Sequence, residues 1–166
     1  PGMNPCIRAV VRTAIAHDIT VTGIIGGYDG LIKGNFKLLG ARDVGGIIQR
    51  GGTILMTAGS EAFLTTQGQR EAVRQLNSAD IQGLIVIGGD GSINGTKVLS
   101  QKGVKVIGIP ASIDNDIPGT DMSIGVDTAL NTIVDAIDKL RDTASSHNRA
   151  FIVETMGKTS GYLALR

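Results

Sequence analysis

The sequence predicts an α/β fold built on a doubly wound parallel sheet, and three observations carry that prediction. Strand-like and helix-like apolar patterns alternate along the chain. The strand-like runs are continuous rather than alternating, as in strands covered on both faces. Many of the 24 glycines lie at the ends of those runs, where turns and close backbone approaches are needed.

The elements follow in order. Asn4-Pro5 reads as an N-cap with proline at the first helical position, and Ile7, Val10, Val11 and Ile15 recur at helical spacing, so a helix runs to about His17. A strand follows over 19–25. Asp43 caps a predicted helix to Arg50, and Thr53-Ile54-Leu55-Met56 reads as the next strand. A helix over about 68–77 leads to the strand Leu84-Ile85-Val86-Ile87, then a helix over 92–102 and a strand over 104–109. Leu130, Ile133, Val134, Ile137 and Leu140 mark one face of a long helix starting near Asp127. Phe151-Ile152-Val153 reads as a last strand, and a helix starts within Ser160 to Arg166. The expected architecture is a three-layer αβα, Rossmann-like domain over 1–166. It lacks a strand before its first helix and breaks off in its last, so the chain reads as a fragment incomplete at both ends.

Composition narrows the function classes. Hydrophobic residues make up 42% of 166, enough to bury a core, and charged residues 19%. The net charge of +1 arises from interspersed residues, which leaves no footprint for nucleic acid, and no apolar stretch approaches membrane-spanning length. Cys6, the single cysteine, reads as a small buried hydrophobe in a cytoplasmic protein, and His17 and His147 have no partners at metal-ligand or triad spacing.

Two segments carry chemistry. Gly88-Gly89-Asp90-Gly91-Ser92 stands between a predicted strand and a predicted helix, where glycines admit a ligand to the backbone and a helix N-terminus favours phosphate. A tight strand-to-helix turn would use the same residues. The second, Pro110-Ala111-Ser112-Ile113-Asp114-Asn115-Asp116-Ile117-Pro118-Gly119-Thr120-Asp121, follows the next strand and is expected at the same sheet edge. In an extended stretch the period of two would put Ser112, Asp114 and Asp116 on one side. One carboxylate could then take a proton from a substrate hydroxyl while another helps to hold a metal; an acidic surface loop with Asx turns is the alternative.

With these two segments the chain resembles the phosphofructokinases. The likeness extends to Pro1-Gly2-Met3-Asn4, Arg50-Gly51-Gly52-Thr53, Arg141-Asp142-Thr143, Ser145-Ser146-His147 and Met156-Gly157. The glycine-aspartate run is shared with NAD kinases and lipid kinases, whereas the Asp114-Asn115-Asp116 segment is far more specific. The resemblance implies ATP-dependent phosphorylation of fructose 6-phosphate. Asp114 would be the base for the sugar 1-hydroxyl, Ser112 would contact that hydroxyl or the moving phosphoryl group, and Asp90 and Asp116 would position Mg²⁺. Gly89, Gly91, Ser92 and Gly95 would line the nucleotide site, with Tyr28 near the base or ribose. Met156, Gly157 and Lys158 would meet the sugar phosphate, and Arg149 would reach that of a neighbouring subunit, implying a homotetramer or other homo-oligomer. Arg8, Arg12 and Arg141 match effector-binding arginines; Arg8 and Arg12, four residues apart, share a helix face.

Glycine at Gly91 and alanine at Ala111 match the ATP-using members, because the aspartate common at the first position in pyrophosphate users would repel a nucleotide α-phosphate. The chain departs from the pattern at Gly59 and Leu64, where ATP users commonly carry arginine, at Ser112 for threonine, at Lys158 for arginine, and near Ala41, where arginine is one place along at Arg42. The loss at Gly59 removes a cation that neutralises the phosphoryl group in transit; Arg70 and Lys97 are the candidates to replace it. A kinase of the same fold with pyrophosphate or another sugar phosphate, and a catalytically weak paralogue that binds nucleotide or sugar phosphate, therefore stay open.

Overall fold

The computed structural model describes all 166 residues. Its elements run α1 (Met3–Ala16), β1 (Val21–Ile24), α2 (Gly27–Lys33), β2 (Phe36–Leu39), a 3₁₀ turn (Ala62–Leu64), α3 (Thr66–Ser78), β3 (Leu84–Gly88), α4 (Asp90–Gln101), β4 (Val106–Pro110), α5 (Val126–His147) and α6 (Tyr162–Leu165). β3 and β4 pair in parallel from Leu84↔Val106 to Gly88↔Pro110, as the βαβ pattern requires. β1 pairs with β2 antiparallel, Val21↔Leu39 to Ile24↔Phe36. The α/β class and its parallel unit stand, but the strands form two two-stranded sheets rather than one.

Strand side chains divide between two core clusters on opposite faces and so produce the layers. Val21 and Ile87 pack with Ile7 and Val11 of α1 and with Leu39, Val44 and Ile47. Ile24, Leu84 and Val106 pack with Leu31 of α2, Ala72 and Leu76 of α3, Leu99 of α4 and Phe63. Helices thus cover both faces, α1 on one and α2, α3 and α4 on the other. A third cluster joins Val126 and Ala129 of α5 to Leu163 of α6, with Ile113 against it.

Between the sheets lies an open cleft of about 1360 Å³, lined by β1, β3 and the Ile7, Val10, Val11 and Ala14 side of α1. Its wall is mainly apolar and includes no residue of the acidic segment. The chain exposes 10707 Å², against about 7,800 Å² for a compact monomer of its 17.2 kDa mass.

Several expected elements are absent. Residues 43–50 form successive turns because Gly46 takes φ +63° and the Asp43 carboxylate accepts the Gly40 amide behind it instead of the amides ahead. That bond, with Lys37 beside it, holds the Asp43 carboxyl below the usual range. Residues 53–56 make no strand: Met56 has φ +58° and its amide turns back to the Thr53 carbonyl. Asn4 does not cap α1, whose N-cap is Gly2 at φ +81°. Buried at 1% exposure, Asn4 donates to the Arg50 carbonyl at 2.9 Å and accepts the Ile54 amide at 2.8 Å, pinning that loop to the helix. Phe151–Val153 has no neighbouring edge to pair with, and Ile152 is fully exposed.

Candidate active site

The register of β3 on β4 decides where the chemistry gathers. Gly88 stands opposite Pro110, and the Ala111 amide donates to the Gly88 carbonyl at 2.9 Å, so both strands release their loops at one edge. A methyl on Gly89 would stand 3.6 Å from the Ser112 Cβ; the two loops are neighbours.

Helix α4 begins at Asp90, two residues earlier than the apolar pattern suggests. Asp90, Gly91 and Ser92 therefore form its first turn, with amides that have no acceptor within the helix, and no side chain caps them. They form a cradle for an anion at the positive end of the helix dipole. Gly91 faces open space, with nothing within 4 Å of where a Cβ would stand.

Tyr28 supports this turn from below. Its ring stacks on Phe63 with centroids 4.1 Å apart at 14°, and its hydroxyl donates to the Ser92 carbonyl at 2.7 Å. Burial raises the Tyr28 hydroxyl above its ordinary pKa. Gly95, buried on α4, gives the ring its place: a Cβ there would lie 2.6 Å from three of the phenol's atoms. Both residues thus belong to a packed strut beneath the cradle.

The acidic segment is a turn, not an extended strand. The Asn115 amide donates to the Ser112 carbonyl at 3.2 Å, and Asn115 takes φ +49°, so the period-of-two reading fails. The turn nevertheless brings Ser112 and Asp116 together, with the Ser112 hydroxyl 3.4 Å from Asp116 Oδ1. Asn115 closes the loop: its Nδ2 donates to the Asp121 carbonyl at 3.0 Å and its Oδ1 accepts the Ser123 amide at 2.9 Å. The Asp114 carboxylate forms no hydrogen bond or ion pair, while its backbone carbonyl accepts the Ser160 hydroxyl at 2.6 Å. Sequence reasoning passed over Asn115 and Ser160; the one available signal was an asparagine, tolerant of left-handed backbone, set between two aspartates.

For a metal, no three His, Cys, Asp or Glu side chains converge. Asp90 Oδ2 accepts from Asn94 at 3.1 Å, and Asp116 Oδ1 is the atom facing Ser112, so each carboxylate keeps one oxygen without a protein partner. Two such carboxylates on adjoining loops suit Mg²⁺, which keeps several waters and takes phosphate oxygens rather than an all-protein cage.

The other expected residues scatter. Gly157 is buried at φ +141° and Lys158 takes φ +47°, in a turn whose Ser160 reaches the acidic loop, while Met156 beside it is 73% exposed. Arg149 lies past the far end of α5, on the order of 30 Å along the helix from its start. Arg8 donates to the Val44 carbonyl, Arg12 is exposed on the same helix, and Arg141 stands 3.9 Å from Asp138 of its own helix. Gly59 faces open space and Leu64 is 80% exposed, so neither position offers a cation; Arg70 and Lys97 are exposed and unpaired.

The phosphofructokinase family model matches residues 1–166. The chain is 59% identical to an ATP-dependent 6-phosphofructokinase of Oceanobacillus iheyensis and 57% identical to one of Brevibacillus brevis, in each case over 99% of this chain and 52% of the relative. It spans about half the length of the curated relatives it matches. The phosphofructokinase structure from Saccharomyces cerevisiae superposes at a TM-score of 0.94 with 38% identity, over 99% of this chain and 26% of that one. A pyrophosphate-dependent phosphofructokinase from Marinobacter aquaeolei shares the fold at a TM-score of 0.81 and 21% identity, over 98% of this chain and 44% of that one. From its first residue to its last, the chain belongs to the phosphofructokinase family.

Proposed function

We propose that residues 1–166 form the nucleotide-binding and catalytic N-terminal part of a cytoplasmic, homo-oligomeric ATP-dependent 6-phosphofructokinase, which phosphorylates the 1-hydroxyl of fructose 6-phosphate. The observation that carries this reading is the adjacency of the two loops: the Ala111 amide bonds the Gly88 carbonyl, so the amide cradle at the start of α4 and the turn bearing Asp114 and Asp116 leave paired strands at one edge. Phosphoryl transfer asks for positioned charge and a group to accept the acceptor's proton. The unpaired amides of Asp90–Ser92 hold donor phosphate. Asp114, whose carboxylate no protein group engages, takes the proton from the sugar hydroxyl. The hydroxyl of Ser112 orients the same acceptor oxygen or the group in transit. Asp90 and Asp116 would hold Mg²⁺, which when bound neutralises charge on the phosphates. Met156, Gly157 and Lys158 meet the sugar phosphate, Arg149 that of a neighbouring subunit, and Arg8, Arg12 and Arg141 an effector.

The relatives named above as ATP-dependent support ATP as donor, and so does the open space at Gly91. Gly59 favours a second reading, a kinase with a different donor or acceptor, because no side chain at that position meets the group in transit. The full-length protein, assayed with Mg²⁺ and fructose 6-phosphate, separates the two. Turnover with ATP alone is the expected result; turnover with pyrophosphate alone overturns the donor, and none with either overturns the reaction. Gly91→Asp fills the open space with a charge a few ångströms from donor phosphate. It lowers kcat/KM for ATP by roughly a hundredfold or more, and a change below threefold in steady-state kinetics would contradict the cradle.

A further inference from the structure

Ser160 is absorbed by none of the roles above, yet its hydroxyl makes the one hydrogen bond between the acidic turn and the turn that follows Met156. The oxygen stands 2.6 Å from the Asp114 carbonyl and 3.0 Å from the Gly157 carbonyl, and it accepts the Tyr162 amide at 3.3 Å. A hydroxyl has one proton to donate, and the shorter distance gives it to Asp114. Asp114 and Ser160 are 46 residues apart in sequence, so the bond fixes a relation that local chain geometry does not.

The surroundings explain why this bond matters for position. Ile113, one residue before Asp114, packs against the cluster of Val126, Ala129 and Leu163, and Leu163 lies three residues after Ser160. Asn115, one residue after, is clamped to Asp121 and Ser123. The backbone of Asp114 is thus held before, after and at its own carbonyl, while its carboxylate stays free of protein partners. On the Ser160 side, the Ser160 amide closes the turn on the Gly157 carbonyl at 3.0 Å. Gly157 and Lys158, with φ of +141° and +47°, give that turn its shape.

We propose that Ser160 is a positioning residue that couples the 156–158 turn to Asp114, so that the segment meeting the sugar phosphate also sets where the base stands. The proposal rests on the reading of Asp114 and Met156–Lys158 given under the proposed function. Its specific content is that Ser160 affects the acceptor half of the reaction and not the donor half.

The test uses the full-length protein with Ser160→Ala and Ser160→Thr, the second of which keeps the hydroxyl. Ser160→Ala lowers kcat/KM for fructose 6-phosphate by roughly threefold to tenfold, the range of one hydrogen bond, with KM for ATP within about twofold and recovery in Ser160→Thr. Hydrogen exchange supplies a readout independent of turnover: in Ser160→Ala the amides of 112–116 and of 157–161 exchange faster together. Three results would overturn the coupling: unchanged acceptor kinetics, equal rises in both KM values, or faster exchange confined to 157–161. If the unmutated protein fails to phosphorylate fructose 6-phosphate, the proposed function falls, and the exchange comparison still decides whether Ser160 links the two turns.

Discussion

Asp114→Asn in the full-length protein lowers kcat by roughly 10²–10⁴-fold while KM for ATP stays within about twofold. The carboxylate makes no hydrogen bond or ion pair within the chain, so the substitution removes a proton acceptor and little else. What holds the turn is the carbonyl of Asp114, the side chain of Asn115 and the packing of Ile113, all retained in the variant. The melting temperature is therefore expected to match that of the unmutated protein. A drop in kcat accompanied by an equal drop in stability would assign Asp114 a structural role instead, and a loss below tenfold would move the base elsewhere. Asp116 provides the internal comparison, because its oxygen already lies 3.4 Å from the Ser112 hydroxyl and its substitution disturbs that contact too.

Gly95→Ala gives the second large effect, and its sign is set by two opposed magnitudes. An exposed glycine in a helix interior gains up to about 1 kcal/mol on becoming alanine. Here the new Cβ would lie 2.6 Å from the Tyr28 ring, which cannot swing aside without leaving Phe63 and the Ser92 carbonyl. Overpacking of that kind costs roughly 1–3 kcal/mol, so the variant is less stable despite the better helix former. The displaced ring disturbs the first turn of α4, and KM for ATP rises by about tenfold. Tyr28→Leu added to Gly95→Ala recovers part of the stability, with a coupling of roughly 0.5–3 kcal/mol. Thermal melts and ATP kinetics of the two single variants and the double variant check this; stabilisation by Gly95→Ala alone would mean the ring does not press on that face.

The elements that could be read from sequence are those whose apolar pattern is long, α1, α3, α4 and α5, or whose apolar run is continuous, β1, β3 and β4, together with the start of α6. α2 and β2 were not legible. α2 is seven residues long with two glycines, and β2 leaves Lys37 and Leu38 exposed, so neither shows a sustained period. Residues 53–56 and 151–153 show the converse error, since an apolar run becomes a strand only where an edge is free to receive it. At the site, the glycine run and the aspartates were legible because their chemistry is unusual for their spacing. The turn at Asn115 was not, as it depends on hydrogen bonds to residues six and eight positions away. Ser160 depended on a contact 46 positions away, which no local pattern encodes.

The cleft between β1 and β3 bears on how the chain 1–166 comes apart. A denaturant slope measures the surface that unfolding newly exposes, and this chain already shows 10707 Å² when folded. Urea has correspondingly less left to uncover. Its unfolding transition is expected to be shallower than that of a compact domain of equal length, and its midpoint reached at a lower concentration. Any peptide strand that fills the cleft would steepen the transition as well as shift it, whereas a small ligand bound at the α4 cradle would shift the midpoint and leave the slope alone.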